Sequence, residues 1–125
     1  MILPVTFTFV ALCGIAMFGL VGSIGLLRHR RGVLRADGGH PDLFKRIRIH
    51  GNFVETAPLT ILASGAAETL GLAALWLWLG FVSYVVGRVL HVIQYDSPRR
   101  GIAMFFTTAP ALLMGFWVLY RLWLV

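Results

Sequence analysis

Carboxylates are scarce in this chain. Five of its 125 residues are Asp or Glu, against eleven Lys and Arg, for a formal net charge of +6. Cysteine is scarcer still: Cys13 stands alone inside an apolar run, so no disulfide can form within the chain, and it reads as a small packing residue. CxxC pairs, a phosphate-binding loop and a Ser-His-Asp order are all missing, which leaves dithiol, nucleotide-phosphate and serine-hydrolase chemistry without their residues. His91 has no companions at metal-ligand spacing, and His29, His40 and His50 read as ordinary polar residues at a basic end, so no metal is expected. Alternation of apolar and polar residues is also missing, which excludes a membrane β-barrel.

What the chain does have is apolar residues: 58% hydrophobic, only 13% charged, mean hydropathy +0.83. Soluble domains average about 45–50% apolar and about 25% charged. A domain this small cannot hide so much apolar surface from water, so a bilayer must cover it. Four segments approach the roughly 20 residues that a spanning helix requires: Leu3–Leu27, Ile47–Leu70, Ala74–Tyr95 and Ile102–Leu124. The fold expected is an all-α membrane protein, a single domain over residues 1–125 forming a four-transmembrane-helix bundle. Met1–Leu27 carries no charged side chain and so lacks the basic start of a cleavable signal; a retained helix is expected.

The cations mark the ends of these segments. Arg28, Arg30, Arg31, Arg35, Lys45, Arg46 and Arg48 lie between the first two, and Arg99 and Arg100 between the last two; only Arg121 lies on the other side. Topology therefore explains the charge better than nucleic acid does. The positive-inside rule places the basic loops in the cytoplasm and both termini outside. Trp76, Trp78, Trp117 and Trp123 suit an outer interfacial belt, with Trp117 deeper. Asp37-Gly38-Gly39 marks a turn, and Pro41-Asp42 starts a second helix that enters the membrane near Ile47. Gly14, Gly19, Gly22 and Gly25 are expected to allow close helix packing. Glu68 is expected at the outer interface, and Asp96 is expected to be solvated or arginine-paired.

Two polar stripes interrupt the apolar helices. Arg48, Asn52 and Glu55 recur at i, i+4 and i+7; Arg88, His91 and Tyr95 recur at i, i+3 and i+7. Both occupy the cytoplasmic part of their helices and should face each other or a shared cleft. Ionisable groups at such depth are structural or functional. In the structural reading Glu55 neutralises Arg88, while Asn52 and His91 bond the helices together. In the functional reading Arg48, Arg88 and Arg100 (or Arg99) outnumber the one carboxylate, and the surplus calls for an anion such as a peptide with two carboxylates or a lipid headgroup.

The runs RIRIHGNFVETAPL (Arg46–Leu59) and GRVLHVIQY (Gly87–Tyr95) resemble the second- and third-helix signatures of the MAPEG family, the membrane-associated proteins in eicosanoid and glutathione metabolism. The loop ADGGHPDLFKRIRIHGNF is similar to that of small bacterial members, which implies a bacterial inner membrane. The resemblance implies a homotrimer that binds glutathione as co-substrate between neighbouring copies. Arg48, Asn52, Glu55, Arg88, His91 and Tyr95 would contact it, with Arg28 or Arg31 from the first helix. Arg100, or Arg99, would stabilise the thiolate. The reaction implied is a glutathione-dependent transfer to, or peroxidase action on, small hydrophobic electrophiles arriving through the membrane lipid. The alternative is a non-catalytic trimer that binds a lipid or other anion in the intersubunit cleft. A small proton-coupled exporter would need a carboxylate in the first helix, where there is none. Two departures from the family pattern are plain: Gly51 stands where the prostaglandin synthase branch has arginine, and Met104, Phe105 and Phe106 where some members have tyrosine.

Overall fold

The computed structural model describes residues 2–125 and contains four helices: α1 (Pro4–Arg31), α2 (Pro41–Thr69), α3 (Ala74–Ile93) and α4 (Arg100–Trp123). Local chemistry sets their ends. Pro4 and Pro41 occupy first-turn positions, where a missing N–H is harmless and the fixed φ suits a helix. Gly32 ends α1 in the left-handed region at φ 65°, donating its N–H to the carbonyls of Arg28 and His29. α3 stops two residues short of the expected Tyr95. Ser97 N–H bonds back to the Gln94 carbonyl at 2.9 Å, and Pro98 disfavours helix at the residue before it.

α1, α3 and α4 are each long and apolar enough to cross a membrane. α2 is as long but carries Asp42, Lys45, Arg46, Arg48, Glu55 and Glu68, and does not qualify on composition. Large apolar side chains lie bare on the outside, among them Ile15, Phe18, Leu113 and Phe116, as in a chain whose solvent on that side is hydrocarbon.

Inside the bundle, one buried cluster joins Phe9 and Cys13 of α1 to Phe53 and Ala57 of α2 and Tyr84 of α3. A second, toward the chain termini, joins Val5, Ala67, Leu77 and Met114. α3 and α4 pack most extensively, whereas α1 packs on α2, touches α3 lightly and does not touch α4.

The glycines of α1 do not bring another helix of the same chain close. A Cβ added at Gly14, Gly19, Gly22 or Gly25 would meet nothing within 4 Å; Gly19 and Gly25 border open clefts. Close approach happens at Gly87 instead, where an added Cβ would lie 2.6 Å from the Thr107 backbone nitrogen and 2.8 Å from the Ala103 carbonyl oxygen. Pro110 in α4 leaves the Phe106 carbonyl without its helical donor, and Ser83 Oγ of α3 donates to it at 2.9 Å. Glu68 does more than sit at an interface. Its two carboxylate oxygens accept the backbone N–H groups of Val5 (3.1 Å) and Thr6 (2.9 Å), capping α1 from the end of α2. Trp117 is half-buried, and its indole N–H has no acceptor.

Gly87→Ala should force α3 and α4 apart and destabilise the fold by about 1–3 kcal/mol, as overpacking does. Gly14→Ala should be neutral or slightly stabilising. Thermal unfolding in one detergent compares the two; equal melting temperatures would refute the assigned α3–α4 contact.

Candidate functional site

Asn52 and His91 bind the two stripes together. Asn52 Nδ2 lies 3.0 Å from His91 Nε2, and His91 is buried. With the amide donating, the imidazole proton sits on Nδ1, which is buried and has no partner. One turn deeper, Thr56 Oγ1 donates to the Asn52 carbonyl at 2.7 Å and accepts from the Tyr84 hydroxyl at 3.1 Å. Thr56 and Tyr84 lie outside the stripes as the sequence defines them. They continue the same stripes by one turn, four residues after Asn52 and four before Arg88, and that spacing is the signal that could have found them.

The expected neutralisation of Arg88 by Glu55 does not occur within the chain. The ion pairs among the described residues are Arg31–Asp42 at 2.8 Å and Lys45–Asp96 at 2.6 Å. Glu55 is exposed. The reason is helical geometry: at about 100° per residue, Arg48 and Glu55 sit about 40° and 60° round from Asn52, on the side away from the buried Phe53. Arg88 is left half-buried, with both terminal guanidinium nitrogens buried and unpartnered. Gln94 Oε1 is buried and unpartnered nearby in sequence.

Three guanidiniums, those of Arg88, Arg100 and Arg48, lie within electrostatic reach of His91. Arg48 and Arg100 are exposed and free to turn toward a ligand. Arg99 is the N-terminal flanking residue of α4, and its backbone N–H donates to Ser97 Oγ at 3.2 Å. Tyr95 lies in the turn after α3. Its ring centroid is 5.7 Å from that of His91, and Lys45 Nζ sits 5.2 Å above it. Asp96 takes Lys45 as its partner, not an arginine.

Arg28 stands apart from this group. It donates to the Ala36 carbonyl at 3.2 Å, lines a separate cleft of about 310 Å³ with His50, and has a buried, unpartnered Nε. Arg31, the other candidate on α1, is held by Asp42, whose carboxyl that guanidinium keeps below the usual carboxylate range. Among the described residues no His, Cys, Asp or Glu groups gather as three or more metal ligands.

A set of arginines without carboxylate partners lies near a bonded Asn–His pair at the basic end of an apolar helical bundle. The sequence profile of the MAPEG family matches residues 5–120. The chain belongs to the MAPEG family. No curated protein matches it. The MAPEG match takes in α1, α2, α3 and most of α4, and so both polar stripes. Within one copy of this MAPEG chain the site residues fall into three groups. Asn52, His91 and Arg88 are the inner residues, Arg48, Glu55 and Arg100 are exposed, and Arg28 lines a separate cleft.

This division has a measurable consequence in ligand-free protein. Glu55→Gln should shift stability by no more than about 0.5 kcal/mol, as exposed changes do. Arg88→Met removes an uncompensated buried charge and should be neutral or stabilising. Large, equal losses in both melts would mean that the two side chains pair across copies.

Proposed function

We propose that this MAPEG protein is a glutathione-dependent transferase or peroxidase acting on small hydrophobic electrophiles in the membrane. In this reading all four helices span, the basic loops face the cytoplasm, and three copies assemble around shared clefts. The observation that carries the reading is the gathering of Arg88, Arg48 and Arg100 around Asn52–His91 with no carboxylate to neutralise them. A tripeptide with two carboxylates and an ionisable thiol has the charges that such a group lacks. Arg28, which lines a separate cleft, would be met by the ligand on a neighbouring copy; Glu55 and Tyr95 would border the same cleft.

Arg100 is the residue placed for the chemistry. It is the first residue of α4, so its guanidinium adds to the partial positive charge of the helix N-terminus. A sulfur held there ionises more readily. The thiolate sulfur then attacks the electrophilic carbon, a sulfur–carbon bond forms, and the leaving group departs with its electron pair. The chain's part is position and positive charge. The alternative, a non-catalytic trimer holding a lipid or other anion, uses the same unpaired guanidiniums and differs in lacking turnover.

Arg100→Ala should keep most of the affinity for glutathione, whose carboxylates have other arginines. It should lose most turnover with chlorodinitrobenzene, and the ultraviolet thiolate absorbance of bound glutathione should fall in parallel. Arg99→Ala serves as the adjacent control. Wild-type turnover in both single variants and the double variant would remove this helix start from the mechanism. A wild type that neither binds nor turns over glutathione would favour the non-catalytic trimer.

A further inference from the structure

α1 and α3 touch through Phe9, whose ring centroid is 4.7 Å from that of Phe81 and 5.2 Å from that of Tyr84. Between the two helices lies a groove of about 400 Å³, walled by Leu12 and Gly19 on one side and Val85 and Val92 on the other, with Ile49 and Phe53 of α2 as its floor. Leu12, Val85 and Val92 are exposed, so the groove opens sideways into the surrounding hydrocarbon. Along α1 it runs from Phe9 to Leu20, eleven steps of about 1.5 Å or roughly 16 Å in all. A groove this long and narrow, open along its side, accepts an extended hydrocarbon chain. Gly19 keeps that path clear, since nothing lies within 4 Å of where its Cβ would be.

The mouth of the groove is cationic. Lys45 and Arg46 precede Ile49 by four and three residues and so share its face of α2, one turn nearer the basic end. Arg46 Nη1 donates to the Ser23 carbonyl at 3.2 Å, just past Leu20, which pins the guanidinium over the α1 side. Lys45 lies over Tyr95, just past Val92, on the α3 side. Lys45 has Asp96 as a partner, while Arg46 is exposed and has no carboxylate. A largely apolar slot thus ends at a cation with donors to spare, at headgroup depth.

We propose that the groove holds one acyl chain of an anionic phospholipid, with its phosphate against Arg46 and Lys45. The second chain remains in the bilayer, outside Val85 and Val92. The bound chain supplies the contacts that α1 and α3 do not make with each other, so the lipid acts as a wedge that fixes their separation. The groove adjoins the candidate site, because Arg88 is among its lining residues; the headgroup contacts are assigned to Arg46 and Lys45 and not to Arg88, whose terminal nitrogens are buried.

The test is native mass spectrometry of the full-length protein after exchange into micelles with equal phosphatidylglycerol and phosphatidylcholine. Wild type should retain phosphatidylglycerol preferentially, at one lipid per chain. Gly19→Leu fills the slot and should abolish retention. Arg46→Gln should still hold a lipid but lose about fivefold of the preference for phosphatidylglycerol, the worth of about 1 kcal/mol for one basic side chain at an anionic surface. No retained lipid in wild type, equal retention in Gly19→Leu, or displacement of the phospholipid by equimolar oleate would overturn the proposal. Should Gly19→Leu fail to fold, Arg46→Gln decides alone, because its change is on the surface; an unaltered preference there refutes the assignment.

Discussion

Arg88 carries a full charge into a half-buried position on α3 where neither terminal nitrogen finds an acceptor. A charge so placed is costly in an apolar bundle unless an anion meets it. The chain cannot supply one from its own carboxylates. Glu68 caps α1, Asp42 holds Arg31 and Asp96 holds Lys45. Asp37 accepts the Gly39 N–H in the loop, and Glu55 faces outward. The shortage of acidic residues in the composition is thus what leaves the basic end open to a ligand.

The rest of the site follows from that vacancy. His91 and Asn52 bond to each other and hold α3 against α2 at the depth of Arg88, with Thr56 and Tyr84 continuing the ladder inward. Tight α3–α4 packing through Gly87 brings the start of α4, and with it Arg100, toward the same end of the bundle. Because α1 stays clear of α4 and packs on α2, its Arg28 lines a different cleft. A single copy of this MAPEG chain therefore presents one inner cluster, with Arg28 in a separate cleft.

The helices and both stripes are legible in the sequence because they rest on local signals: apolar run length, first-turn prolines, and polar residues three and four apart. The Pro41 start of α2 is legible for the same reason. What is not legible depends on which way a helix is turned. Four glycines on α1 look like packing positions, yet no helix of the chain comes close at any of them, and the contact falls to Gly87, beside Arg88 in the third-helix run. Glu55 shares a stripe with Asn52, but a stripe about 60° wide can have one edge inside and the other out. The reach of Glu68 across to α1 is a contact over 62 and 63 residues, which no local pattern announces.

The central claim is that an external anion satisfies Arg88, and the structure of the detergent-solubilised assembly with glutathione tests it most directly. The account predicts a carboxylate of the tripeptide within salt-bridge distance, about 4 Å, of the Arg88 guanidinium, with the sulfur nearer the start of α4 than either carboxylate. Finding Glu55 of a neighbouring copy paired with Arg88, and glutathione absent from the cleft or bound away from it, would contradict the account.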